Sequence, residues 1–242
     1  MELITVNGVK LEVERLPGGA GMRRAPILFL HEGLGSVSMW RDWPADVCAA
    51  AGRDGFVYSR RGYGHSDPIS DVRGAGRLAP DYMHREALEV LPGLLAALGL
   101  DAPVLLGHSD GGTIALIYAA SFPVAACVVM APHVIVEDLS VHSIAQARDA
   151  YGSGDLRERL ARYHADVDGA FWQWNDIWLS PAFRGFDIRA ECRRIEAPVL
   201  AIQGEDDPYG TLRQIESIQP TSGPFAAQIL PQCGHSPHRD QP

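Results

Sequence analysis

The chain has 242 residues, a formal net charge of −9 and an apolar fraction of 46%. At about 150 residues per domain, that length holds one large domain, or one domain with an insertion, and the apolar content excludes a disordered chain. The acidic balance excludes general nucleic-acid binding, where a basic field supplies most of the affinity.

The N-terminal run MELITVNGVKLEVE lacks the cationic-then-apolar layout of a signal peptide. Two short alternating runs flank Asn7-Gly8, a pair that favours the positive-φ turn of an antiparallel hairpin. Pro17, Gly18, Gly19 and Gly21 predict a loop. The continuous apolar run at 26–30 then reads as a strand covered on both faces. A helix is expected over 41–51 and a strand over 56–59. Residues 81–98 have helical spacing, with Asp81 as N-cap, Gly99 as stop and Pro92 as the place where the helix should kink or split.

A strand at 103–106 leads through GHSDGG into a helix. From 111 to 136 there is no Asp, Glu, Lys or Arg, but Pro123 and Pro132 interrupt the stretch, and it carries Ser121 and His133. This predicts a buried helix (113–121) and a buried strand (126–130) rather than a membrane span. Strands at 198–203 and 227–230 complete the set. Short buried strands alternating with helices predict an α/β fold: a mostly parallel, doubly wound sheet of about eight strands, opened by the hairpin. Between 133 and 197 the rhythm changes to helical spacing with many charges and the cluster FWQWNDIW at 171–178. The expected organisation is a core formed by 1–132 and 198–242, with 133–197 as a helical lid over the carboxyl ends of the strands.

The cysteines at 48, 127, 192 and 233 form no CxxC pair, which argues against a zinc cluster or a thioredoxin-type site and predicts reduced thiols in a cytoplasmic protein. His31-Glu32 is followed by glycine at 35, so there is no HExxH zinc motif. No metal or cofactor is expected.

The chemistry concentrates in three places. Gly107-His108-Ser109-Asp110-Gly111 fits G-x-S-x-G, and a strand precedes it while a helix follows. In that context the serine sits on a strained turn with its hydroxyl exposed, and small residues two positions away let strand and helix pass closely. The Asp110 amide falls at the helix N-terminus, where partial positive charge favours an oxyanion. Serine needs a base and an orienting acid. Asp207, with Asp206 as competitor, follows the strand at 198–203. His235, preferred over His238, follows the strand at 227–230. All three lie just past the carboxyl end of a strand, in the order Ser, Asp, His. The turn His31-Glu32-Gly33-Leu34-Gly35-Ser36 after the first parallel strand should supply the second oxyanion amide, from Gly33 or else Leu34. Glu32 would be buried and hydrogen-bonded or touch substrate. Phe171, Trp174 and Trp178 share a helical face that either packs the lid or walls a substrate pocket. Arg60 and Arg61 are expected in a solvated loop, with His65 and Ser66 bracing the serine turn, and His84, His142 and His164 are expected at the surface.

The motifs HEGLGS, SRRGYGHSD, GHSDGG, GEDDPYG and CGHSPH together resemble the α/β-hydrolase family over roughly residues 27 to 239. The resemblance implies Ser109, Asp207 and His235 as a catalytic triad and the amides of Gly33 and Asp110 as an oxyanion hole. It implies hydrolysis of a carboxylic ester or related acyl compound, or else lactone or carbon–carbon bond hydrolysis by the same triad. The substrate would be a small molecule, with no nucleic-acid or membrane partner, and the protein a monomer or homodimer. Two departures stand out. Family members usually have HG where this chain has His31-Glu32. They also usually carry a helix after the histidine, whereas this chain stops at Pro242, which implies an uncovered last strand, a partner over it, or a shortened sequence. Two other readings compete. A dinucleotide-binding oxidoreductase would use Gly33-x-Gly35-x-x-Ser38 with Arg60 and Arg61, but lacks the third glycine and leaves the motifs at 107, 204 and 233 idle. A non-catalytic binding protein has no chemical need for all of Ser109, Asp207 and His235.

Overall fold

The computed structural model describes residues 1–18 and 24–242. Gly19 and Gly21 of the expected loop lie outside the described residues. Strands β1 (Glu2–Val6) and β2 (Val9–Leu16) form the hairpin, and Asn7 and Gly8 turn it with φ of 51° and 80°. β3 (Ile27–Leu30) precedes a 3₁₀ turn (Val37–Trp40) and helix α1 (Trp43–Ala51), and β4 (Gly55–Tyr58) follows.

Helix α2 runs in three pieces. The first is Tyr82–Arg85, the second a widened π turn at Glu86–Val90, and the third Leu91–Leu98. Pro92 has no amide to donate and its ring crowds the carbonyl four residues back, so the widened turn just ahead of it absorbs the conflict. Asp81 does occupy the cap position, but its carboxylate accepts from Arg85 Nε at 3.0 Å instead of from the helix amides. Gly99 closes the helix in the left-handed conformation, φ 68°.

β5 (Val104–His108) leads into α3 (Asp110–Ala119), and β6 (Ala126–Met130) follows. Every residue of α3 is buried, which accounts for its lack of charge after Asp110. Four helices come next: α4 (Asp138–Ser153), α5 (Leu156–Leu160), α6 (Val167–Trp178) and α7 (Arg189–Cys192). β7 (Val199–Gly204), α8 (Arg213–Glu216), β8 (Phe225–Leu230) and α9 (Pro237–Asp240) complete the chain.

The eight strands form one sheet in the order β1-β2-β4-β3-β5-β6-β7-β8. The β1–β2 and β2–β4 pairs are antiparallel and the rest parallel. Alternation along the central strands divides the core. Leu28, Leu30 and Leu105 join the larger cluster with α2 and α3, whereas Ile27, Phe29, Val104 and Leu106 join a second cluster with Trp40 and Cys48. The edge strand β8 differs, with five of its six residues exposed. Because β3, β5, β7 and β8 run parallel, the turns at 31–36, 109, 205–210 and 231–236 all emerge at one rim. All four cysteines are buried and unpaired. Among the described residues no helix is long and apolar enough to cross a membrane, and no cluster of His, Cys, Asp or Glu suits a metal ion.

Candidate active site

Ser109 sits between β5 and α3 with φ 53° and ψ −119°, a region L-residues seldom adopt. Its geometry is imposed from both sides. A Cβ at Gly107 would overlap the Gly111 carbonyl, and a Cβ at Gly111 would overlap the carbonyl of Leu30 at the end of β3. The Ser109 amide donates to Met130 O on β6 at 2.9 Å, and its carbonyl accepts from Thr113 N at 3.0 Å. The turn is therefore fixed to strands on both flanks and to its own helix.

His235 and Asp207 meet across the rim. The imidazole Nδ1 lies 2.9 and 2.8 Å from the two carboxylate oxygens of Asp207. Those oxygens also accept from Tyr209 N at 2.8 Å and Gln203 Nε2 at 2.6 Å. Burial pushes the Asp207 carboxyl upward, but the hydrogen bond and charge of His235 outweigh it and hold the group below the usual carboxylate range. Nδ1 faces a carboxylate, so it carries the proton, and Nε2 keeps its lone pair. Asp206 is exposed, and its amide donates to Cys233 O. His238 instead packs on the rings of Trp40 and Trp43.

Ser109, Asp110, His235, Gly33 and Leu34 line one cavity of about 330 Å³. No hydrogen bond joins the Ser109 hydroxyl to His235 among the described residues. The amides of Gly33, Leu34 and Asp110 donate to no acceptor there either. Met39, Ile144, Leu156, Leu160, Trp174 and Trp178 form the apolar wall. The Trp174 indole occupies the space a side chain on Gly33 would need, so glycine there follows from contact with α6. Trp178 Nε1 donates to Tyr82 Oη at 3.1 Å, and that hydroxyl donates to Asp110 Oδ2 at 2.6 Å. Glu32, His108, His133, Tyr209, Ser236 and Arg239 add to the polar side, with burial pushing the His133 imidazole down to about 3.

A model of the "Alpha/beta hydrolase family" matches residues 27–242. The chain belongs to the alpha/beta hydrolase family. Curated relatives include a bifunctional esterase/perhydrolase of Acinetobacter calcoaceticus, 26% identical over 225 residues, 77% of this chain and 76% of that protein. A non-heme chloroperoxidase of Kitasatospora aureofaciens is 26% identical over 237 residues, 85% of this chain and 80% of that one. Among solved structures, an enol-lactonase from Burkholderia xenovorans LB400 superposes with a TM-score of 0.73 at 21% identity, over 99% of this chain and 95% of that one.

In this hydrolase two expectations fail. Arg60 is buried rather than solvated. Its guanidinium donates to His31 O and Glu32 O, each at 3.0 Å, and lies 3.7 Å from the Asp110 carboxylate and over the Tyr63 ring. A flat fork of donors matched to two carbonyls and a carboxylate is what lets arginine leave water. His164 is also buried: its Nδ1 accepts from Gly64 N at 3.0 Å, so Nε2 donates to Leu34 O at 2.9 Å. Burial lowers its affinity for a second proton. Arg60 and His164 thus hold the turn at 31–35 from opposite ends. Arg61, His65 and His142 are exposed, His84 is half-buried 3.6 Å from Glu191, and Ser66 is buried against β2 and Ser59. Sequence spacing carries no mark for Arg60 or His164, because each partner lies far away along the chain. Glu32 was visible only as a departure from the family's HG. Its carboxylate accepts from His108 Nδ1 at 2.8 Å and from Arg239 Nη2 at 3.2 Å.

Proposed function

We propose that this alpha/beta hydrolase is a serine hydrolase that cleaves carboxylic esters or related acyl compounds through an acyl-enzyme, with Ser109, His235 and Asp207 as the triad. The observation that carries this reading is the strained serine sharing a cavity with an imidazole whose Nδ1 is held by a buried carboxylate.

The steps follow from that arrangement. Ser109 Oγ attacks the carbonyl carbon as its proton passes to His235 Nε2. Charge collects on the carbonyl oxygen, and the unpartnered amides of Asp110 and Gly33 are the donors placed to receive it. The bond from the carbonyl carbon to the leaving oxygen breaks, and that oxygen takes the proton from His235. Water then attacks the acyl-serine, gives a proton to His235, and the acid departs as Ser109 regains it. Asp207 holds the tautomer and stabilises the imidazolium in each half. The contact between Ser109 and His235 tightens once substrate is bound.

The segment 133–197 acts as a lid in this reading, since Ile144, Leu156, Leu160, Trp174 and Trp178 come from it and line the cavity that Ser109 also lines. Such a wall selects an acyl or leaving group that is apolar or aromatic. The test is labelling with a fluorophosphonate probe, followed by a rate comparison over aryl esters, alkyl esters and lactones. Ser109→Ala should abolish labelling and lower kcat by about 10⁴-fold or more. Full turnover by Ser109→Ala would overturn the proposal, and equal rates on acetyl and long-chain esters would remove the apolar selection.

A further inference from the structure

His108, the residue before the serine, has a side chain only 1% exposed. Its Nδ1 is 2.8 Å from Glu32 Oε2 and its Nε2 is 2.6 Å from the backbone carbonyl of His235. Neither a carboxylate nor a carbonyl can donate. A neutral imidazole has one N–H, and in either tautomer it would set a lone pair against one of these oxygens. Arg239 Nη2 donates to the other oxygen of Glu32 at 3.2 Å, which favours the ionised carboxylate. With Glu32 ionised, both contacts are made only if both nitrogens carry protons, so the ring is an imidazolium and the half-buried Glu32 its counter-ion. Burial works against the charge on Glu32, but the nearby imidazolium and its hydrogen bond hold the carboxyl well below the ordinary range.

This ring touches three parts of the site that are distant in sequence. It adjoins Ser109 in the chain, it holds Glu32 beside Gly33, and it anchors the backbone of His235. We propose that the Glu32–His108 ion pair is a positioning device that fixes the oxyanion turn and the His235 loop against the serine turn. The proposal rests on the hydrolase reading above. Both residues border the cavity, but neither makes or breaks a bond in the steps of that reading. The arrangement also gives a reason for the departure from HG at 31–32: glycine there would leave the buried imidazolium with no counter-ion.

The groups facing His108 from each packed element are few. The turn after β3 contributes Glu32. The segment after β8 contributes the rings of His235 at 5.1 Å and His238 at 4.9 Å, with Arg239 behind Glu32. The 3₁₀ turn contributes only the neutral Trp40 ring, at 6.3 Å. His133 and Asp207 lie beyond His235. Among the described residues, Glu32 is the single carboxylate in direct contact with His108.

The experiment pairs imidazole-selective NMR with pH–rate profiles on a p-nitrophenyl ester. In wild type and in Ser109→Ala, both ring nitrogens of His108 should be protonated at neutral pH, as the two acceptors require. In Glu32→Gln the amide still accepts one hydrogen bond but supplies no charge, so the second proton is lost as pH rises. The ratio of variant to wild-type kcat should then fall about tenfold between about pH 6.5 and 8.5, the order expected for one lost hydrogen bond to a charged group, with KM within about twofold. A single protonated nitrogen on wild-type His108 at neutral pH overturns the proposal, whether or not Glu32→Gln folds. So does a uniform loss of rate at all pH values, which marks a merely structural residue. The hydrolase reading fails on a different result, turnover retained by Ser109→Ala, and the NMR measurement does not depend on that outcome.

Discussion

The strand-end rim and the helical segment 133–197 line the same cavity, yet different forces shape them. At the rim the backbone itself is crowded: Gly107, Gly111 and Gly204 each lie where a Cβ would overlap a neighbouring main-chain atom. Polar side chains there are paired at short range with one partner buried, as in Asp207 with His235 and His108 with Glu32. The helical segment is held by rings. Tyr151 stacks on Phe171 at 3.7 Å between centroids, and Trp178 meets Phe183 edge-on at 4.9 Å. Its ion pairs, such as Arg184 with Asp138 and Arg157 with Asp168, stand in solvent, where they contribute little. Main-chain crowding tolerates no substitution, whereas ring packing can be rearranged. In the proposed reading the rim would therefore carry the chemistry, and the helical wall would be where selectivity can change.

The largest expected effect breaks the rim. Gly111→Ala places a methyl group on the Leu30 carbonyl, and neither strand nor helix can yield. Stability should fall by about 4 kcal/mol or more, read as a lower urea midpoint or as loss of folded protein. A midpoint within error of wild type would show that the elbow is not sterically determined. Gly33→Ala probes the place where the two regions touch, since its methyl group lands on the Trp174 indole instead of on main chain. The fold should survive, but kcat should drop about 10²- to 10³-fold, the scale for a displaced oxyanion donor. Adding Trp174→Ala should recover part of that loss, giving a non-additive double-mutant cycle. Strict additivity would mean that the indole does not set the position of the turn.

Acid should weaken the rim before the helical segment. Burial pushes both His133 and His238 down to about 3 in the folded protein, from an ordinary value of 6.5. Between those limits the unfolded chain binds more protons, so stability rises with pH. The full contribution is present above about pH 6.5 and is lost as pH falls towards 3. The limiting slope is about 1.4 kcal/mol per pH unit for each histidine. The lowered carboxyls of Asp207 and Glu32 act in the same direction, but only once pH approaches the ordinary carboxylate range. Urea midpoints taken from pH 7 to 4.5 should fall steadily, and His133→Phe with His238→Phe should flatten the upper part of that curve. A flat wild-type profile above pH 5 would refute the assignment.

The same division explains what was legible in the amino-acid sequence. Strand order along the chain, the hairpin at Asn7-Gly8, the serine turn and the candidate acid and base were readable because each is a local demand. A left-handed turn, a close crossing or a fixed reach from a strand end leaves its mark within a few residues. Arg60 and His164 were misread as surface residues because their composition is that of surface residues. What buries them is a set of carbonyls at His31, Glu32 and Leu34, up to 130 residues away. His108 passed as filler in G-x-S-x-G because its acceptors lie 76 and 127 residues away. Buried polar pairs that close across a sheet are properties of the assembled rim, and one sequence holds only half of each at any position.

The smallest effect sharpens the comparison from the helical side. Gly152 lies in the last turn of α4, is exposed, and a Cβ there would meet nothing within 4 Å. Its backbone is helical, so glycine there gives up conformational entropy on folding without the close approach that justifies it at the rim. Gly152→Ala should raise stability by about 0.5–1 kcal/mol and leave kcat and KM unchanged. The substitution is chemically the same as Gly111→Ala, and the opposite sign is the informative part. If Gly152→Ala instead lowered activity, motion at the end of α4 would be coupled to the cavity that Ile144 of the same helix lines, and the helical segment would be more than a packed wall.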